Sequence, residues 1–275
     1  RITETAIPGL LIIDLDVHRD NRGWFKENWQ REKFTGLAPE LASFQPVQNN
    51  ISFNHAGATR GLHAEPWDKL VSVAQGKIFG AWCDLREGSD SFGEVVTHEV
   101  GPETAVFVPR GVANGFQALE ETSYCYLVNE HWSAEARYAA VNLNIVDWPL
   151  EPTEISEKDK QHPALKDVSP MPARRILVTG ANGQLGRALK RLLADAELCT
   201  HADFDITDPP ERNWKQYSAI INCAAYNDVN GAENDRAAAW AVNAEAPARL
   251  ARIAAENQLT LVHVSSDYIF DGASE

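Results

Sequence analysis

Arg60-Gly-Leu-His63, with Lys69 shortly after it, lies among short apolar runs that read as β-strands. These runs are Leu10-Leu-Ile-Ile-Asp14, Leu70-Val-Ser-Val-Ala74, Lys77-Ile-Phe-Gly-Ala-Trp-Cys83, Glu94-Val-Val-Thr-His98, Ala105-Val-Phe-Val108 and Ser123-Tyr-Cys-Tyr-Leu-Val128. Gly76, Gly88, Gly93, Gly101-Pro102, Pro109 and Gly111 punctuate them. Many short strands at close spacing predict a sandwich or barrel. Alternation of apolar and polar residues is clear over Thr122 to Val128 and weaker elsewhere. On such a scaffold His63 suggests an acid/base site.

Near position 180 the chain changes character. Arg175-Ile-Leu-Val-Thr179 reads as a strand, and Gly180-Ala-Asn-Gly183-Gln-Leu-Gly186 as a glycine-rich turn that opens a helix continuing over Arg187 to Asp195. Ser218 to Asn222 and Thr260 to Ser265 read as further strands, and Ala237 to Glu256 as an Ala-rich helix. Strands alternating with helices predict a parallel α/β sheet. Between the two patterns, residues 151–174 are polar and end Ser169-Pro-Met-Pro172, a closing arm followed by a linker. The expected plan is a β domain over 1–168, a linker over 169–174 and a partial dinucleotide-binding domain over 175–275.

Composition excludes several classes. A net charge of -14 argues against nucleic acid, which needs a basic surface. A small anionic ligand stays possible, because two or three well-placed Arg or Lys residues suffice for a diphosphate. No apolar run is long enough to span a membrane. The N-terminus lacks both an initiator Met and the layout of a signal peptide. Cys83, Cys125, Cys199 and Cys223 form no CxxC pair and read as reduced thiols, so a cytoplasmic protein is expected.

Gly61-Leu-His63 and Pro109-Arg-Gly-Val-Ala-Asn-Gly-Phe116 resemble the two motifs of cupins. Metal-binding cupins place several ligands there, whereas this chain offers His63, Glu65 and Asn114. His63 and Glu65 are too few for a first-row metal site, so a metal-free jelly-roll barrel is expected.

Asp20-Asn-Arg22-Gly-Trp-Phe25-Lys-Glu27, Gln48-Asn-Asn50, Arg60-Gly-Leu-His63, Lys69-Leu-Val, Asp84-Leu-Arg86, Tyr126-Leu-Val, Trp148-Pro and Ser156-Glu-Lys-Asp159 complete an ordered set. The set resembles the dTDP-4-dehydrorhamnose 3,5-epimerases. Singly, a His in a β domain is a structural hydrogen bonder, Arg60 and Lys69 are surface charge, and Tyr126 is strand core; the order of the set overrides those readings. Epimerisation next to a ketone needs a base and an acid on opposite faces. His63 suits the base, with an unperturbed pKa of about 6.5. The resemblance implies Asp159 as its dyad carboxylate, Tyr126 as the acid and Lys69 as stabiliser of the enolate oxygen. It further implies Arg22 and Arg60 near the diphosphate, Gln48 and Asn50 along the sugar nucleotide, Phe25 and Glu27 around the thymidine, and Asn114 at the sugar. Trp132 stands where many relatives stack a Tyr on the thymine. It also implies a dTDP-sugar as substrate, no cofactor for the epimerisation, and a homodimer that exchanges N-terminal strands. A sugar-nucleotide ketoisomerase and a non-catalytic sugar-nucleotide binding module are the alternatives.

The second domain resembles dTDP-4-dehydrorhamnose reductase, an extended short-chain dehydrogenase. The matches are the glycine turn, Asp205-Ile-Thr-Asp208, Asn222-Cys-Ala-Ala-Tyr226, Val242-Asn243 and Val264-Ser-Ser266-Asp-Tyr268. The resemblance implies NAD(P)H held by Gly180, Asn182, Gly183, Gln184, Leu185 and Gly186, with Asp205 at the adenine and Ala224, Ala225 and Tyr226 along the cofactor. Ser266 would be the hydroxyl of a Ser-Tyr-Lys set. The Tyr-x-x-x-Lys expected downstream of it is missing from this sequence, so hydride transfer by this chain alone is not expected.

Overall fold

The computed structural model describes residues 1–134 and 136–265. The chain forms two compact units, Arg1–Ala173 and Arg174–Glu275.

The first unit is a cupin-like β sandwich with antiparallel strand pairing. One sheet has six strands, ordered Ile2–Glu4, Leu11–Asp14, Thr104–Val108, Lys69–Gln75, Thr122–Val128 and Gln48–Asn54. The other has five, ordered Ala139–Ala140, Thr59–Ala64, Val112–Ala118, Ile78–Asp84 and Val95–Val100. Val71, Val73, Val106 and Tyr124 of the first sheet pack against Ile78, Trp82, Val112 and Phe116 of the second. This apolar filling is what drives the two sheets together. The expected strands all form, with bounds shifted by a residue or two. A separate hairpin, Val17–Asp20 with Gly23–Lys26, forms its own two-stranded sheet.

The arm after residue 148 turns back over the five-stranded sheet. Buried Gln117 grips its start, donating to the Leu150 carbonyl and accepting from the Leu150 N–H. Thr59 N–H then bonds the Glu154 carbonyl, and Ser156 caps the short helix Glu157–Lys160. The expected linker does not hang free. Met171 is fully buried in the β unit, Arg86 bridges to it, and Arg110 donates to the Pro172 carbonyl. Its apolar thioether finds a core, which a compositional reading of a Pro-rich stretch overlooks.

The second unit is a partial Rossmann-like α/β layer. Its parallel sheet has the order Glu197–Cys199, Arg175–Thr179, Tyr217–Asn222, Thr260–His263. The first helix is shorter than expected, Gln184–Leu189 instead of running to Asp195. Beyond it Arg191 and Leu192 make tight bonds to the carbonyls three residues back, and Leu192 stays exposed. With no surface to bury Leu192, further helix gains nothing from packing. The Ala-rich helix spans Arg236–Glu256 but widens to a π turn over Ala241–Glu245. Pro247 follows directly. It lacks an N–H and crowds the carbonyl one turn back, a recognised cause of such a widening.

Candidate active site

His63 stands on the strand Thr59–Ala64, where it pairs with Asn114 and Ala140. Its Nε2 bonds Asp159 Oδ1 at 2.8 Å, leaving Nδ1 outside that bond. The other carboxylate oxygen accepts from Gly61 N–H at 3.1 Å. Burial opposes ionisation of Asp159, but His63, the Gly61 N–H and Ser156 outweigh it and hold the carboxyl at about 2. The carboxylate therefore keeps its negative charge throughout the neutral range. Gly61 has φ +118°, and a Cβ there would sit 2.6 Å from Gly115 Cα, so only glycine allows the two strands this approach.

Tyr126 and Lys69 come from the facing six-stranded sheet. They flank the same point of the pairing, since Tyr126 lies opposite Val71 and Val128 opposite Lys69. Lys69 is only 5% exposed. Its ammonium bonds Glu65 at 2.7 Å and lies 5.0 Å from the centre of the Tyr126 ring. Burial, and then the charge of Glu65, push the Tyr126 phenol up, against the pull of Arg60. The phenol is therefore a proton donor at neutral pH.

His63, Asp159, Lys69, Tyr126, Arg60, Asn50 and Asn114 line one cavity of about 690 Å³. A neighbouring cavity of about 450 Å³ shares His63, Asn50 and Tyr126 and adds Gln48 and Trp132. Gln48 bonds Asn50 at 2.9 Å and accepts from the Trp132 N–H. The Trp132 ring is 66% exposed and free to stack. Asn114 faces the cavity with its amide already engaged, accepting from Trp82 and donating to Tyr124. Arg60 is tied to Asn54 at 2.7 Å.

Three expected residues lie elsewhere. Arg22, Phe25 and Glu27 are at the hairpin and line neither cavity. The Arg22 side chain is 90% exposed and paired with Asp20, Phe25 is 64% exposed, and Glu27 pairs with Lys33. Sequence reasoning also missed residues that the structure brings to the cavities. From the sequence, Glu65 offers itself only as a metal ligand, and Lys158 and His162 carry no role, although both lie close to Asp159 in the chain. His63, Asp159 and His162 form a group with donor atoms within 4.8 Å of one another. A local pattern, Asp159 followed three residues later by a His on one turn, was the available signal.

In the second unit the glycines serve close packing. Gly180 has φ +68°, and a Cβ there would lie 2.6 Å from Ala224 N. A Cβ on Gly186 would lie 2.5 Å from the Gly180 carbonyl oxygen. Gly183 caps the helix that carries Gln184 and Leu185, and Asn182 precedes it in the turn. The Gly180 turn and the Ala224-Ala225-Tyr226 loop follow the carboxyl ends of adjacent strands, where open α/β sheets bind ligands. Asn243 clamps Tyr226 by accepting from its N–H and donating to its carbonyl. Asp205 accepts from the N–H and hydroxyl of Thr207. Ser266 lies outside the described residues.

A His–carboxylate pair on one side and a Tyr–Lys pair on the facing sheet give this cupin-type sandwich groups that can take and return protons. Residues 4–167 match the family model for dTDP-4-dehydrorhamnose 3,5-epimerase, and residues 174–275 match that for the RmlD substrate binding domain. The chain belongs to the dTDP-4-dehydrorhamnose 3,5-epimerase family, with a partial reductase-like domain fused behind. It is 51% identical over 176 residues to the RmlC homolog of Streptococcus pyogenes, covering 60% of this chain and 89% of that protein. It is 33% identical over 183 residues to the dTDP-4-dehydrorhamnose 3,5-epimerase of Pseudomonas aeruginosa, covering 62% of this chain and 99% of that one. The structure of RmlC from Streptococcus suis in complex with dTDP-D-xylose superposes with a TM-score of 0.58 at 48% identity, covering 62% of this chain and 94% of that one. The chain is also 47% identical over 106 residues to the dTDP-4-dehydrorhamnose reductase of Mycobacterium tuberculosis, covering 36% of this chain. It spans about 35% of that reductase's length.

Proposed function

We propose that the β unit epimerises dTDP-4-dehydro-6-deoxy-D-glucose at C3 and C5 to dTDP-4-dehydro-L-rhamnose, with no cofactor. The observation that carries this is the cavity itself, with His63 from one sheet, Asp159 from the arm that returns over that sheet, and Tyr126 from the facing sheet. His63 removes the proton next to the C4 ketone. The electron pair moves onto the carbonyl oxygen, where Lys69 meets the developing negative charge. Tyr126 returns a proton to the opposite face, and inversion follows. The phenolate recovers its proton from solvent, and so does His63 lose its own. Arg60 supplies a positive charge for the diphosphate, while Gln48, Asn50 and Trp132 accept the rest of the sugar nucleotide.

A homodimer accounts for the hairpin residues. Arg22, Phe25 and Glu27 line neither cavity of their own chain and would complete the site of a second copy. The second unit would hold NAD(P)H at Gly180 to Gly186 and, in a longer chain, reduce the epimerised product. Among the described residues no helix is long and apolar enough to cross a membrane, and all four cysteines are free thiols, which suits a cytoplasmic enzyme.

The test is proton NMR of dTDP-4-dehydro-6-deoxyglucose with the protein in deuterated water. Loss of the C3 and C5 signals with appearance of the L-rhamno configuration is expected. Migration of the carbonyl would identify a ketoisomerase, and retention of both protons a binding module.

A further inference from the structure

His162 is the residue of the site that the mechanism leaves without a task. Its side chain is only 7% exposed, yet neither Nδ1 nor Nε2 makes a well-formed hydrogen bond, the Gly61 carbonyl exerting only a lesser pull. Burying a polar ring with both nitrogens unpaired is destabilising, and an apolar ring would fill the same space better. Its backbone is firmly held, with the carbonyl accepting from the Asn142 side chain at 3.2 Å. The ring stands edge to face with His63, centroids 5.0 Å apart. Its Nε2 is 3.8 Å from Asp159 Oδ1, the oxygen that His63 engages. Burial and the neighbouring His63 keep the imidazole below the ordinary histidine range, against the pull of Asp159 and the Gly61 carbonyl. It is therefore neutral and carries one N–H.

The chemistry gives that N–H a use. One imidazole must take protons from two carbons of one sugar ring, and each transfer needs the reacting atoms within about 3.5 Å. The His63 ring or the sugar must shift between the two steps. When His63 moves, Asp159 Oδ1 loses its donor, and a buried carboxylate without one is strongly disfavoured. Gly61 N–H continues to hold Oδ2. We propose that His162 is a positioning residue for the base, a second donor to Asp159 Oδ1 that holds the carboxylate in place while His63 moves. The trio is not an open metal site. The 2.8 Å between His63 Nε2 and Asp159 Oδ1 is shorter than the roughly 3.4 Å that separates two ligands of a tetrahedral ion.

This role rests on the epimerase function proposed above, and its test separates the two. His162→Phe keeps a ring and removes both nitrogens; His162→Gln keeps a donor. The Phe variant should melt a few degrees higher than the parent. Its kcat should fall about tenfold with KM within twofold, and the Gln variant should recover most of that loss. In the free protein, the NMR titration midpoint of His63 should rise in the Phe variant, because the nitrogen 3.8 Å from Asp159 Oδ1 is gone and His63 is left as the only imidazole beside that oxygen. Arg60, Glu65, Lys69, Glu154 and Lys158, which line the same cavity, are identical in all three proteins. A Phe variant with kcat within twofold of the parent, equal losses in Phe and Gln, or an unmoved His63 midpoint would each overturn the role. A parent that exchanges neither proton would reject the epimerase function, and the His63 midpoint would then decide the case of His162 alone.

Discussion

At the scale of single residues, the division of labour between His63 and Tyr126 makes unequal predictions. His63→Ala removes the base for either carbon, so deuterium exchange at C3 and C5 should both fall on the order of a thousandfold. Tyr126→Phe leaves the dyad intact and removes the returning proton. It should keep part of the exchange while losing inversion. Equal loss of exchange in the two variants would refute the assignment. Lys69 belongs to the same balance. Its nitrogen is buried against Glu65, which gives the cavity an opposite charge beside it.

At the scale of elements, the Asp159 carboxylate is brought to His63 by a chain reversal. The arm docks through Gln117, Thr59 and Ser156, and the crossing at Gly61 puts a backbone N–H on Asp159. Gly61→Ala should lower the stability of the β unit by about 3 kcal/mol, the sum of an unfavourable positive φ and a contact with Gly115. Chemical denaturation measures this, and a loss under 1 kcal/mol would show that the strands can part. The hairpin Val17–Lys26 is the second element with a prediction attached. Lys26 anchors its end by donating to the Val73 and Pro102 carbonyls, while Trp24 and Phe25 remain exposed. Such a ribbon is expected to be covered by a second copy. Sedimentation at micromolar concentration should give a dimer, and Phe25→Asp should shift it toward monomer; a monomeric parent would reject the assembly.

At the scale of the whole molecule, acid stability follows from two buried carboxyls. Asp84 is fully buried; burial raises its pKa, but Arg86, Ser91 and Ser89 outweigh it and hold it at about 2. Asp159 is held at about 2 by its own partners. Both lie below the ordinary aspartate value of 3.8, so the unfolded chain takes up these protons first. Each carboxyl therefore contributes about 2 kcal/mol at neutral pH, lost as the pH falls from about 4 through 2. The melting temperature of the β unit should drop steeply across that window. Asp84→Asn should flatten the drop while lowering stability at pH 7, and an unchanged slope would show that other groups govern the acid transition.

The strands, the two-unit layout and the glycine turn were legible in the sequence because they are local. Apolar runs between Gly and Pro signals name the strands around Leu70 and Ser123 whatever surrounds them, and a strand followed by Gly180 to Gly186 announces its turn. The family resemblance of an ordered set of motifs singled out His63, Lys69, Tyr126 and Asp159, which the fold brings to one cavity. The length of the first helix, the burial of Met171 and the engagement of the Asn114 amide were settled only by packing, since each depends on whether a distant surface arrives to meet it. The same holds for the separation of Arg22, Phe25 and Glu27 from the cavity, which follows from the hairpin forming its own sheet. His162 shows the limit most clearly. In the sequence it is one more polar residue of a charged arm, and only the fold returns that arm across Gly61 and sets a buried, unpaired imidazole beside the base.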